Sequence, residues 1–171
     1  MWRLLQQIKK VGLVSEPKPA PDATMLQRQL QEQVRRVFGR ALAIRQVDAG
    51  SCNGCELEIH ALHNPYYNLE GAGIHFVASP RHADALLVTG PVSRHMAEAL
   101  RRTYDATPEP KLVIAAGDCA ACGGVFGENT CATIGAVANV VPVDVVVRGC
   151  PPTPTALLQG ILAAISKRAS A

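Results

Sequence analysis

Apolar residues along the chain follow two rhythms. Short blocks of strand length recur at about 42–47, 73–77, 85–89, 111–116 and 143–147, each bounded by turn-forming residues. Between several of them, stretches at about 55–63, 93–104 and 154–166 carry helical spacing. Met25, Leu26, Leu30, Val34 and Phe38 mark a further helix over 25–38, with Gly39 as its stop. Buried strands alternating with helices predict an α/β domain with a mostly parallel sheet. Pro80, Pro91, Pro108, Pro110 and Pro142 fall where that plan needs turns. Residues 15–23 carry three prolines in alternation and read as an extended linker, preceded by a short amphipathic segment with Trp2, Leu4, Leu5 and Ile8. The expected organisation is an N-terminal arm and Pro-rich linker over 1–24 and a single α/β domain over 25–171.

Composition narrows the setting. A chain of 171 residues, 48% apolar but only 4% aromatic, is long enough for one core built from Ala, Val and Leu. No apolar run approaches the roughly 20 residues that span a bilayer, and the first ten residues lack the pattern of a secretory signal. Charge is uneven: residues 1–40 hold eight Lys/Arg against three Asp/Glu, the remainder nine against eleven. A basic arm on a near-neutral domain suits a partner or a membrane surface, and equally a solvated face. Nucleic acid is not expected, because no aromatic residues interleave with the basic ones.

The candidate chemistry lies in the cysteines, at 52, 55, 119, 122, 131 and 150. Without an export signal, a metal or redox site is a better account of them than a disulfide framework. Three predicted strands run directly into glycine-containing loops that present cysteine: Gly50-Ser-Cys-Asn-Gly-Cys55, Gly117-Asp-Cys119 and Arg148-Gly-Cys150. Ligands of open α/β sheets bind beyond the carboxyl ends of the strands, so cysteines distant in sequence converge on one edge. Four thiolates suit a 4Fe–4S cluster or a tetrahedral zinc. The spacing does not match a zinc ribbon. A thioredoxin-like pair at Cys52 and Cys55 leaves Cys119 and Cys150 without a role. Spacing leaves the choice between Cys119 and Cys122 open, with Cys119 at the loop position matching Cys150. Cys131 and Cys122 are otherwise expected to be small buried hydrophobes. Six cysteines cannot fill two all-cysteine clusters, so one cluster is the most this chain holds.

The stretches Gly50-Ser-Cys-Asn-Gly-Cys-Glu-Leu-Glu58, Ser79-Pro-Arg-His-Ala-Asp84, Leu87-Val-Thr-Gly-Pro91, Gly117-Asp-Cys119, Pro142-Val-Asp144 and Gly149-Cys-Pro-Pro-Thr-Pro154 resemble the small, proximal-cluster subunit of NiFe hydrogenases. The resemblance is closest to the complex I-related, membrane-bound branch that includes formate hydrogenlyase, and the 20 kDa cluster subunit of NADH:quinone oxidoreductase belongs to the same superfamily. It implies a flavodoxin-like fold with helices on both faces and cluster loops at the carboxyl ends of the strands. It also implies Cys52, Cys55, Cys119 and Cys150 as ligands of one 4Fe–4S cluster, which selects Cys119 over Cys122. The complex I subunit uses two adjacent cysteines for its first pair, so Cys-x-x-Cys here is the hydrogenase form.

On that resemblance the chain is expected to be a non-catalytic electron-transfer subunit of an oxidoreductase complex on the cytoplasmic side of the membrane. Its implied partners are a large subunit carrying the NiFe site, a ferredoxin-like iron–sulfur subunit and an integral membrane subunit. The alternatives are a cluster subunit of a complex I-like quinone reductase and a zinc-stabilised interaction domain. Among other residues, Glu56 and Glu58 read as the acidic start of a helix, with a proton relay as the competing role of Glu56. Arg148 either tunes the cluster or anchors a partner. His60 and His63 read as surface or interface histidines rather than a metal pair. Arg81, His82 and Asp84 share a loop to which chemistry alone assigns no role.

Overall fold

The computed structural model describes residues 23–169; the arm and most of the Pro-rich linker expected over 1–24 lie outside the described residues. The first helix, α1 (Ala23–Phe38), ends where Gly39 turns left-handed at φ 65° and donates its N–H to the Arg35 carbonyl at 3.1 Å. The strands β1 (Leu42–Asp48), β2 (Ile74–Phe76), β3 (Ala85–Thr89), β5 (Leu112–Ala116) and β7 (Val145–Val147) form one sheet in the order β2-β1-β3-β5-β7. Every pair in it is parallel. This is the flavodoxin-like order, as expected.

Period-two alternation sorts the strand residues onto two faces. Leu42, Ile44, Ala85, Leu87, Leu112 and Ile114 point to one side, where α1, α2 (Gly54–Ala61) and α5 (Pro154–Ala169) contribute Leu30, Ile59, Leu157 and Ile161. Val47, Leu86, Val88, Val113 and Ala115 point to the other, against Leu100 of α3 (Arg94–Ala106). Most of these side chains are fully buried. Burying each such Leu or Ile contributes roughly 1.5–3 kcal/mol, and that double-sided core holds the strand ends in register.

The structure trims some expectations and adds elements. The strands expected over 73–77 and 143–147 are three residues each. At the second, the Asp144 carboxylate takes the place of a ladder carbonyl, accepting from the Val113 N–H at 2.8 Å. A short helix, α4 (Asp118–Cys122), and an antiparallel ribbon of β4 (Val92–Ser93) with β6 (Thr133–Gly135) were not predicted. The crossover from β2 to β3, residues 77–84, holds only a 3-10 turn at Pro80–His82, where parallel strands commonly spend a dozen residues and a helix. No helix among the described residues is long and apolar enough to cross a membrane.

Candidate metal centre

Three strands deliver the cysteines. After β1, Asp48 folds the chain over itself, its Oδ1 accepting from the N–H groups of Gly50 (2.8 Å) and Ser51 (2.7 Å). Asn53 then adopts the left-handed conformation that lets the chain curl from Cys52 into α2, which carries Cys55 in its first turn. After β5, Gly117 leads into α4, so Cys119 sits on a short helix rather than in the expected loop. After β7, Gly149 and Cys150 follow, with a cis bond from Cys150 to Pro151. The last two segments are tied to each other. The Asp118 N–H donates to the Gly149 carbonyl (2.9 Å) and the Gly149 N–H donates to Asp118 Oδ1 (3.2 Å).

Cys52, Cys55, Cys119 and Cys150 line one cavity of about 170 Å³. Cys55 and Cys119 are buried at its floor, whereas Cys52 and Cys150 are exposed at its mouth. The thiols sense one another. Burial first, then Glu56 and the other three cysteines, push Cys55 up to about 12 from its ordinary 9.0. Burial first, then Cys150 and Cys52, raise Cys119 as well. Burial and the neighbouring sulfurs thus hold Cys55 and Cys119 as neutral thiols in the metal-free chain, and a cation bound among them would offset that cost. Backbone shape agrees. Gly117 has φ 95°, and a Cβ there would lie 2.6 Å from Cys55 Sγ; Gly124 has φ 53°, and its Cβ would lie 2.7 Å from Cys119 Sγ. Any other residue would push the sulfurs out of place. The donor set and the cradle fit a cluster. Among the described residues no three His, Cys, Asp or Glu side chains gather tightly enough for a single ion; four thiolates on one zinc would stand roughly 3.8 Å apart.

Cys122 and Cys131 correct the sequence reading, since both are exposed rather than buried. Helix α4 is one turn long: it buries Cys119 and Ala120 and turns Cys122 outward, while Cys131 lies in the loop before β6. Cys122 Sγ accepts from Arg148 Nη1 at 3.4 Å, and Arg148 also pairs with Asp118 at 3.7 Å. Arg148 therefore stands at the rim of the cavity, its guanidinium held more firmly protonated first by Cys122 and then by Asp118.

Glu56 lies in the first turn of α2, as expected, but turns inward: it is 6% exposed, and neither carboxylate oxygen has a hydrogen-bond partner among the described residues. His60 and His63 are exposed, and His63 stacks on Phe76 with ring centroids 5.1 Å apart. Asp84 gains a structural role that sequence did not assign. It is buried, accepts from the Ala43 N–H at 3.1 Å and pairs with Arg40 at 2.6 Å, locking the start of β3 to that of β1. Leu57 on α2 and Val125 and Phe126 after α4 expose large apolar side chains.

Comparison with known proteins places this architecture. A membrane-bound hydrogenase subunit of Pyrococcus furiosus is 46% identical over 80% of this chain and 81% of that protein. Formate hydrogenlyase subunit 7 of Escherichia coli is 45% identical over 74% of this chain, which spans about half (49%) of that longer protein. Among solved structures, a chain of the membrane-bound sulfane sulfur reductase, an archaeal respiratory membrane complex, superposes with a TM-score of 0.68 at 31% identity, covering 82% of this chain and 76% of that one. These relatives are subunits of oxidoreductase complexes. The family described as the NADH ubiquinone oxidoreductase 20 Kd subunit matches residues 52–164, from the first cavity cysteine into the last helix, and the chain belongs to it.

Proposed function

We propose that the chain is the electron-transfer subunit of a multisubunit, membrane-associated NiFe hydrogenase. In this reading Cys52, Cys55, Cys119 and Cys150 hold one 4Fe–4S cluster between a ferredoxin-like subunit and the large subunit. The observation that carries it is the convergence of four thiols, from three strand ends, on one cavity. When bound, such a cluster supplies a one-electron relay. The chain's own residues hold and shield it. Buried Cys55 and Cys119 would fix its inner side, Asp118 keeps the Cys119 and Cys150 segments together, and exposed Leu57, Val125 and Phe126 offer apolar surface to a partner. No side chain here is assigned a bond-making step. The Cys52-x-x-Cys55 spacing favours the hydrogenase form.

The second reading, a cluster subunit of a complex I-like quinone reductase, draws support from the family match. The sulfane sulfur reductase relative adds that such scaffolds serve complexes with different acceptors, so the partner's metal content decides. The test is electron paramagnetic resonance of the anaerobically purified native complex during stepwise reduction, with nickel assayed in parallel. A reducible 4Fe–4S signal lost in both Cys52→Ser and Cys119→Ser, from complexes that stay assembled and contain nickel, is expected. The same signal without nickel moves the assignment to the quinone reductase class. A colourless, zinc-containing chain with no such signal ends the redox reading.

A further inference from the structure

The far end of the sheet from the cysteines is also unfinished. Because residues 77–84 cross from β2 to β3 without a helix, the α3-side face of the sheet has no helix of its own over the start of β1 and β2. A cleft of about 500 Å³ opens there, with Ala43 and Val77 among its lining and His75, Arg81 and His82 around it. Ala43 and His75 are register partners and share this face. Ala43 is only 2% exposed, so the lining reaches the sheet itself.

The charges of the cleft do not cancel internally. Its two carboxylates are already engaged, Asp84 by Arg40 and Glu109 by Lys111 at 3.2 Å. The side chains of His75, Arg81 and His82 are exposed and have no hydrogen bond or ion pair among the described residues. Arg45, two residues further along β1, shares this face but does not line the cleft; its Nε is buried with no hydrogen-bond partner among the described residues.

We propose that this cleft seats an acidic segment of an adjoining subunit of the same complex, its carboxylates meeting Arg81, with His75 and His82 beside it, where a crossover helix would otherwise lie. A concave slot floored by small apolar residues, with Arg81 and two histidines whose side chains have no partner around it, fits an inserted acidic peptide segment, and a lipid surface, being flat, does not fill it. The inference rests on the chain working within a multisubunit assembly and not on what the cysteines hold. It gives the subunit two contact faces at opposite ends of the sheet, one at the thiol cavity and one at this cleft.

The test places a photo-crosslinker in the native complex, as His82→p-benzoylphenylalanine, and identifies the adduct by mass spectrometry. An adduct to an Asp/Glu-containing segment of another subunit is expected. The double variant Arg81→Glu/His82→Glu then recovers about tenfold less of that subunit at physiological salt, because like charges now face one another, while visible absorption of the chain is unchanged. Adducts confined to lipid, to a segment without carboxylates, or to none at all overturn the proposal. So does undiminished recovery of the crosslinked subunit with the charges reversed. If the double variant does not fold, the crosslink in the otherwise natural chain still decides.

Discussion

At the carboxyl end of the sheet, four thiols crowd a small cavity beside Asp118 and the inward-turned Glu56, with Arg148 at the rim. At the amino end, Arg40, Arg81, His75 and His82 surround a cleft whose two carboxylates are already paired. At one end sulfur and carboxylate outnumber the single nearby cation, and at the other the side chains without a partner are an arginine and two histidines, although the strands between them are the same. The backbone differs in parallel. Glycines at the thiol end stand where a side chain would strike sulfur, whereas Gly39, beside the amino end, has left-handed φ and nothing within 4 Å of a built Cβ. The comparison separates residues shaped by what must enter from residues shaped by the turn alone.

The sharpest way to break this division is at the cavity. Cys119→Ser is expected to abolish the iron signal and Cys122→Ser to retain it, read as iron per chain and by paramagnetic resonance. The reverse result would exchange their roles. Next in size, Gly117→Ala combines left-handed strain of about 1–3 kcal/mol with a collision at Cys55 Sγ. It should lose most of its iron, while Gly39→Ala costs about 1 kcal/mol in thermal denaturation and leaves iron content unchanged.

A third comparison sets the two buried or bridging aspartates side by side. Asp84→Ala leaves the Ala43 N–H and the Arg40 guanidinium without their acceptor. It should cost about 1–3 kcal/mol of stability with the cavity chemistry intact. Asp118→Ala removes a partly exposed tie between the Cys119 and Cys150 segments. It should change stability by less than about 1 kcal/mol yet lower iron retention, measured by timed chelator extraction.

The smallest expected effect is a pH trend in the metal-free chain. Cys55 titrates near 12 when folded against 9.0 ordinarily, burial being the first cause. Its folded value is raised, so stability is fully present below pH 9 and falls as pH rises toward 12, because the unfolded chain gives up its proton first. Metal uptake runs the other way, strengthening as pH rises, since thiolates must lose protons to bind. Denaturation of the metal-free chain at pH 8 and 10.5 checks the first trend, and proton release on reconstitution checks the second.

Much of this plan was legible in the residues. The blocks at 42–47, 85–89 and 111–116 became β1, β3 and β5 within a residue, because a fully buried parallel strand needs a continuous apolar run. The three strand-to-cysteine junctions foretold the convergence for the same reason: parallel strands end on one edge. Short elements escaped. Two- and three-residue strands such as β4 and β6 carry no period to detect, and Asp118-Cys-Ala-Ala-Cys122 is too brief to show a helical face. That brevity is why Cys122 was misread as buried. The side chains of Arg45 and Glu56 escaped for another reason. Sequence shows a charge in an apolar context, but only the packed structure shows that Arg45 Nε and both Glu56 carboxylate oxygens are buried without a partner among the described residues.

The unequal burial of the cysteines has a consequence for biogenesis. With Cys55 and Cys119 beneath and Cys52 and Cys150 open to solvent, a preassembled inorganic core can be delivered only through the cavity mouth. Were the cavity to take up the proposed cluster, a subunit docked over Cys52 and Cys150 would close that entrance, so loading would have to precede docking.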